Sequence, residues 1–471
     1  MEVFGLITIS NTITIKDPPL ELLNYCKQYL VLQNPEYTKK LRMHHCLGKT
    51  PQHLYLYEWR GDALVLPYGT LRDVLKICTK IGIPESEIHL DFATPERIDY
   101  GCKLPLYDYQ QTAVDQVYWG QYGILQSPAG SGKTQMAIEL IARYGKRALF
   151  LTHTRDLLTQ SKQRAEQYMD PSLLGTITEG QVNIGKGITF ATVQTMCNLD
   201  LAQYKNMWDV IIVDECHRAA GTPTAVSQFS KVLNSLAARH KYGLTATVHR
   251  SDGLIKATFA LIGDVICAVP QEAVADKIMR VGICPIPTGI GVTRKCQNPD
   301  GTVNYPRMIN YLCENQERNR LIVECITANR DMPSLILSDR LEHLETLMAM
   351  LPADMREDAV MVSGSMTTKA KKTAREQALV DMRNGTKKYL FATYPLAKEG
   401  LDIPCLERLY MATPQKDFAV ITQSIGRIAR IADGKANSVV YDFVDEIPQL
   451  VKAYNKRCTT YRKNGCYFTE R

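Results

Sequence analysis

The stretch Ser127-Pro128-Ala129-Gly130-Ser131-Gly132-Lys133-Thr134 constrains this chain more than any other. A short apolar run, Tyr122 to Gln126, precedes it, and Gln135 to Arg143 follows with helical spacing. The order is strand, glycine-rich turn, helix. A helix N-terminus presents unpaired N–H groups and the positive end of the helix dipole. Successive N–H groups in the turn before it form a cradle for anions. Gly130 and Gly132 let the backbone curl close to phosphates where a Cβ would collide. The loop, Ser131 included, is therefore expected to hold the phosphates of a nucleotide such as ATP. Lys133 would reach the β- and γ-phosphates, and the Thr134 hydroxyl would hold Mg²⁺. Ser127 stands where the G-x-x-x-x-G-K-[ST] pattern has its first glycine, and a small residue serves there if its φ is negative.

The 471 residues suffice for two or three domains, each with its own core. A hydrophobic share of 45% with 22% charged residues is that of a soluble globular protein. No apolar run reaches the length of a membrane span, and the N-terminus lacks the pattern of a signal peptide. The expected location is cytoplasmic, in a bacterial or phage-infected cell, without membrane contact. The 14 cysteines form no C-x-x-C pair and read as reduced core residues. His44-His45-Cys46 has no second ligand pair at zinc spacing.

Residues 1–100 read as a small α+β module. Strand-like segments cover 6–10 and 12–15, helices cover 20–32 and 71–81, and 54–66 forms a hairpin around Gly61. Next comes Tyr107-Asp108-Tyr109-Gln110 at the start of a helical pattern. The Gln110 amide has the donors and acceptor to pair with N6 and N7 of an adenine, although Tyr-Gln at a helix start is also ordinary local packing. After the phosphate loop, strands and helices alternate. Asp209 to Val213 is a continuous apolar run, as for a strand buried on both faces of a parallel sheet.

That run ends in Asp214-Glu215-Cys216-His217. Acids at a strand's C-terminal end near a phosphate loop have a specific use: Asp214 can hold Mg²⁺ through water, and Glu215 can orient and deprotonate an attacking water. His217 is placed to couple the nucleotide pocket to the segment Thr245-Ala246-Thr247. Residues 271–311, punctuated by Pro285, Pro287, Gly289, Gly291, Pro299, Gly301 and Pro306, read as a loop-rich connection with opening strands. A second run of alternating strands and helices follows from 334 to 443, implying another parallel sheet covered on both faces. There Arg427 and Arg430 are three apart, so one helix face would carry both, suited to neutralise a γ-phosphate or simply solvated. Of the net charge of +7, residues 451–471 carry six cations against one acid, interleaved with Tyr454, Tyr461, Tyr467 and Phe468. That tail fits either phosphate neutralisation with base stacking or a solvated helix.

Taken together, Gln110, SPAGSGKT (127–134), LTHTRDLL (151–158), ATVQTM (191–196), DECH (214–217), LTATVHRSDG (244–253), SLILSDRLEHLETL (334–347), ATYPLAKEGLDIP (392–404) and QSIGRIAR (423–430) resemble the motif set of superfamily 2 helicases. Within that group the chain is most similar to XPB-like and phage UvsW-like DNA helicases and to the motor parts of type III restriction enzymes. The resemblance implies an α/β fold of two tandem RecA-like domains with ATP between them. The expected division is an accessory module at 1–100, an ATP-binding domain at 101–275, a second RecA-like domain at 276–450 and a basic-aromatic tail at 451–471. The resemblance further implies nucleic-acid contacts around Thr152, Arg155, Thr192, Ser338 and Thr393, and closure of the nucleotide cleft by Gly400, Asp402 and Gln423. Tyr107 departs from the arginine that often precedes the adenine-reading glutamine, and Val248 from the proline after Thr-Ala-Thr. The implied activity is an ATP-dependent DNA motor moving 3′ to 5′. An RNA helicase, or an ATP-gated sensor or motor subunit of a repair or defence complex with protein partners on the module or tail, are the alternatives.

Overall fold

The computed structural model describes residues 7–94, 96–220, 222–248, 254–274, 276, 278–299, 301–363, 369–398, 401 and 403–470. The chain forms two compact units, one of Met1–Pro128 and Gly132–Pro270, the other of Ala129–Ser131 and Gln271–Arg471.

The main sheet of the first unit has eight strands in the order Gln181–Asn183, Leu174–Thr178, Ile188–Thr192, Ala148–Thr152, Val210–Val213, His240–Thr245, Gly123–Gln126 and Val265–Ala268. All neighbours pair in parallel except the first two. Val210–Val213 is fully buried, and its side chains alternate between two cores. Val210 and Ile212 join Phe150, Phe190 and Leu244 on one face, while Ile211 and Val213 join Leu149, Leu151 and Ile262 on the other. Apolar residues on both faces of a strand demand helices on both sides, and a parallel connection supplies them.

The N-terminal module adds a five-stranded sheet, Glu58–Arg60, Ala63–Pro67, Thr12–Lys16, Ile7–Ile9 and Ile88–Leu90, with helices Leu20–Tyr29 and Leu71–Ile81. The hairpin around Gly61 is shorter than the sequence suggests. Residues His53–Tyr55 pair instead with Val31–Gln33, which ends the preceding helix at Tyr29. The module's core continues into the rest of the first unit. Ile7, Ile13, Leu22, Leu66 and Val74 pack into one cluster with Tyr122, Val226, Leu254, Ala257 and Ala260 from beyond residue 100. Polar contacts close the seam. The Tyr68 hydroxyl donates to Arg239 O at 2.9 Å, and Arg72 Nη2 donates to Gly120 O and, at 3.2 Å, to Tyr122 O. Gly69 lies so close to the helix Ile255–Ile262 that a Cβ there would meet Phe259 O at 2.4 Å. Lys241, fully buried, donates from Nζ to Leu233 O (2.7 Å) and Asn11 O (3.1 Å), with the Tyr68 ring 5.0 Å away.

In the second unit seven strands run parallel in the order Ala359–Val362, Tyr389–Thr393, Ser334–Ser338, Arg408–Met411, Ser438–Val444, Val281–Pro287 and Tyr467–Phe468. The segment expected to be loop-rich thus supplies a seven-residue strand despite Pro285 and Pro287. Ile283 O accepts from Thr469 N–H at 2.8 Å, so Ile283 and, by alternation, residues 285 and 287 face the Tyr467–Phe468 edge. That neighbour pairs with Gly282 and Ile283 alone, so the missing proline donors forfeit no ladder bond.

The basic-aromatic tail is also corrected at two positions. Residues Pro448–Lys463 form a helix in which Arg457 and Tyr461 are buried. Arg457 donates from Nε and Nη2 to Asp442 at 2.8 and 2.9 Å, and Tyr461 OH donates to the same carboxylate at 2.7 Å. These two residues are neither solvated nor free for nucleic acid. A side chain on a helix can turn inward wherever the sheet beneath offers a buried carboxylate.

Candidate active site

The phosphate loop joins the strand Gly123–Gln126 to the helix Lys133–Tyr144. Gly130 and Gly132 have φ of 81° and 80°, in the left-handed region where a Cβ is strained. Ser127 is not among the residues of positive φ, which is why a serine serves in its place. It is fully buried, as is Ser131. Lys133 Nζ donates to Ser127 O and Pro128 O, both at 3.2 Å, so the ammonium is already held over the loop. Thr134, in the first turn of the helix, is half-buried. Gln110 is buried beside the loop. Its Nε2 would lie 2.3 Å from a Cβ on Gly132, and its Oε1 accepts from the Tyr107 N–H at 3.0 Å.

Parallel strands bring the acidic segment to the same end of the sheet as the loop. Asp214 directly follows Val210–Val213, and His240–Thr245 is the single strand between that one and the loop's strand. Ser127 N–H donates to Thr245 O and Asp214 N–H to Leu151 O, both at 2.9 Å. Glu215 has φ of 49°, a left-handed conformation that costs a non-glycine residue about 1 kcal/mol or more. His217 Nδ1 lies 3.0 Å from Thr245 Oγ1 and 3.2 Å from Glu215 Oε2. Thr245 Oγ1 in turn donates to Thr247 O at 2.8 Å. The structure therefore brings Glu215, His217, Thr245 and Thr247 into one connected set.

Burial and the charge of Glu215 push the Asp214 carboxyl up to about 7. Burial also works to raise Glu215, but the His217 hydrogen bond and the charges of Lys133, His217 and Arg218 outweigh it and hold that carboxyl low. Like charges this close oppose each other, so one carboxyl carries the burden of being charged beside the other. A buried carboxyl pushed upward beside a half-buried one suits an incoming cation. A threonine hydroxyl and carboxylate oxygens are the hard donors that Mg²⁺ takes alongside phosphates. His217 Nε2 is buried without a hydrogen-bond partner among the described residues, a polar atom that the fold leaves to a ligand.

Two contributors escape a motif reading. Arg218 acts electrostatically on both carboxyls, and its position next to His217 was the available signal. Gly243 faces Cys216, where a Cβ would come within 2.6 Å of Sγ, so the acidic turn can close on its neighbouring strand only over a glycine.

The expected nucleic-acid residues sit at strand ends. Thr152 and Thr192 are register partners on adjacent strands. Thr152 is buried and donates to Thr154 O at 3.0 Å, whereas Thr192 caps the helix Val193–Cys197 and Arg155 is exposed. In the second unit Ser338 and Thr393 are likewise register partners. The Ser338 hydroxyl is buried against His343 Nδ1 at 3.0 Å, and His343 Nε2 meets Asn319 Oδ1 at 3.0 Å. Burial, with the charge of Arg318, pushes the His343 imidazole down to about 3, so this chain of bonds runs through a neutral ring. Thr393 is half-buried.

Gln423 and Arg427 lie on the helix Phe418–Ile428. Gln423 is buried with Oε1 unpartnered among the described residues, and Arg427 Nη1 donates to Leu401 O at 3.0 Å. Arg430 is not on that helix, contrary to the spacing argument. The helix ends at Ile428, and Arg430 pairs as an isolated bridge with Ile278. Lys435 Nζ gathers the carbonyls of Ile428 and Arg430 at 2.6 and 2.8 Å, satisfying the last turn and drawing the chain away from the helical path. Gly400 and Asp402 lie outside the described residues.

Residues 103–250 match the family described as type III restriction enzyme, res subunit, and residues 317–432 match the helicase conserved C-terminal domain. Together these two matches span more than half of the chain. A protein of Acanthamoeba polyphaga mimivirus named as an ATP-dependent RNA helicase is 26% identical over 82% of this chain and 73% of its own length. A DNA 3′-5′ translocase of Sulfurisphaera tokodaii, XPB2, is 30% identical over 37% of this chain and 38% of its own. Among solved structures, S. cerevisiae Dbp5 bound to RNA and ADP BeF3 superposes with a TM-score of 0.56 at 17% identity, covering 78% of this chain and 90% of that one. That likeness is one of fold.

Proposed function

Because this chain is a superfamily 2 helicase, an enzyme of the ATPase and helicase class, we propose that it hydrolyses ATP at the phosphate loop to move along or remodel DNA, 3′ to 5′. The observation that carries the proposal is the convergence of Lys133 and the Asp214-Glu215 pair at one end of a single parallel sheet. Lys133 would bind the β- and γ-phosphates, and the loop N–H groups would orient them. Mg²⁺, held by Thr134 and Asp214, would neutralise charge on the transferred phosphoryl group. Glu215 would orient the attacking water and take its proton, which its low-held carboxylate is ionised to do. His217, through Thr245 and Thr247, would report the state of Glu215 to the strand His240–Thr245. Arg427 and Arg430 are the proposed cations for the developing phosphate charge, and Gln423, Gly400 and Asp402 the proposed residues of closure. Thr152, Arg155, Thr192, Ser338 and Thr393 mark the proposed track. Because the Ser338 hydroxyl is engaged internally, that segment would contact phosphates through its backbone or through Arg340.

The DNA assignment is supported by the likeness to a named DNA 3′-5′ translocase. RNA is the second reading, favoured by the mimivirus relative named as an RNA helicase. Steady-state ATPase rates with single-stranded, duplex and forked DNA and with RNA, beside Lys133→Ala, decide between them. Stimulation by forked or single-stranded DNA that Lys133→Ala abolishes is the expected result. Stimulation by RNA alone overturns the DNA assignment, and turnover unaffected by Lys133→Ala overturns the site.

A further inference from the structure

The helix Pro448–Lys463 of the second unit carries a charged face that the mechanism above does not use. Residues 447–469 contain Lys452, Lys456, Arg457, Arg462 and Lys463 and no acid. Arg457 is committed to the fold by its pairing with Asp442, and Leu450 and Tyr461 are buried on the same side of the helix. That clamp fixes the roll of the helix. At 3.6 residues per turn, Lys452, Lys456 and Lys463 fall within about 40° of one another, on the side opposite the clamp, along about 16 Å of helix. All three are exposed, as is Arg462.

Like charges four apart destabilise a bare helix, and here no acid on the same helix offsets them. Among the described residues none of the four exposed cations pairs with a carboxylate. At its C-terminal end the stripe meets two rings. Tyr467 and Phe468 form an edge strand of the sheet and are 38% and 42% exposed. The Arg462 guanidinium lies 5.8 Å from the centre of the Phe468 ring, and that of Arg280 lies 5.4 Å from the centre of the Tyr467 ring. Each exposed ring thus comes with a cation at its face. A polyanion with flat, unpaired groups satisfies both features, its charges on the lysines and its planes on the rings and guanidiniums. A single nucleic-acid strand has both, whereas a duplex keeps its bases stacked inside.

We propose that this face of the helix and the Tyr467–Phe468 edge bind a single strand of DNA outside the helicase motifs, the last of which ends at Arg430. Phosphates lie on the Lys452, Lys456 and Lys463 stripe, and bases stack on the two rings. The inference rests on the reading of the chain as a DNA motor and adds a second holding surface for its strand. Exposed side chains commit little of the fold, so replacing them tests binding rather than folding.

The test measures equilibrium binding of the full chain to a fluorescent single DNA strand of about 40 nucleotides, longer than two binding sites of ordinary size. A duplex of the same length is the control, and both are titrated across a salt series without ATP. The triple variant Lys452→Gln, Lys456→Gln, Lys463→Gln loses three phosphate contacts. Its slope of log K against log salt should be shallower by about 2, with single-strand affinity at low salt lower by about tenfold or more. Tyr467→Ala should weaken the single strand by about tenfold, the size of one stacked base, with the salt slope and duplex binding unchanged. ATP turnover without DNA and at saturating DNA should stay at the native rate in both variants, which separates this surface from the motor. An unchanged slope and affinity in the triple variant overturn the inference and leave the motor reading intact. So does Tyr467→Ala if it binds the single strand as the native chain does, or loses duplex equally. Failure of the native chain to bind any DNA overturns the motor reading and this inference with it.

Discussion

The two main sheets treat their buried carboxylates in opposite ways. In the second unit, Asp442 lies in the strand Ser438–Val444 and Asp445 follows it. Arg457 grips Asp442 through two nitrogens, and Arg318 grips Asp445 through Nε and Nη2 at 2.7 and 3.2 Å. Hydroxyls of Tyr461 and Thr288 complete them, each at 2.7 Å. In the first unit, the charge of Glu215 raises its neighbour Asp214, Glu215 has a strained φ, and His217 Nε2 is left unpartnered among the described residues. A carboxylate matched oxygen by oxygen holds a fold together. One left with a neighbour's charge and an incomplete hydrogen-bond set is poised for a ligand and for proton chemistry.

The largest expected effect tests the unmatched pair. Glu215→Gln should lower ATP turnover by about 10²–10⁴-fold, the range for loss of a general base, with nucleotide affinity and Tm nearly unchanged. A comparable fall in Tm would mean that Glu215 is structural and would erase the contrast. The matched pairs should respond the other way round. Arg318→Ala or Arg457→Ala should cost about 3–5 kcal/mol by leaving a buried carboxylate unpaired, read by denaturant melting and by hydrogen exchange in the Ser438–Val444 strand. If either variant kept full stability but lost turnover, that arginine would belong with the chemistry.

Lys241 sharpens the contrast as a buried cation held by carbonyls. Burial pulls its ammonium from the ordinary value of 10.5 down to about 7. Between those values the unfolded chain binds a proton that the folded chain lacks, so stability rises with pH across the window and levels off above it. From pH 7 to 9 the gain over Lys241→Met should be about 2 kcal/mol, measured as diverging melting curves. Parallel curves would mean that the ammonium stays charged. The smallest effect is expected at Ser127, whose φ is not positive. Ser127→Gly should change turnover by less than about threefold and lower stability by about 0.5–1 kcal/mol through added unfolded-state freedom. A rise in activity of tenfold would show that the serine obstructs the loop.

Local pattern alone determined the phosphate loop, the acidic turn after an apolar strand, and the alternation of strands and helices in both halves. Each depends on residues a few positions apart, where glycine φ, strand burial and helix spacing act directly. Only the tertiary structure decided that the helix bearing Arg427 stops at Ile428, because Lys435 and the bridge to Ile278 draw the chain off its path. It alone admitted Pro285 to a strand, since the neighbour at that edge pairs no further than Ile283. It merged the N-terminal module with the first sheet through Tyr68, Gly69 and Lys241. It also turned Arg457 inward to Asp442. In each case the deciding partner is distant in sequence or lies across a sheet edge, and the free energy of a buried charge or an unpaired backbone group depends on that partner rather than on the residue's own neighbours.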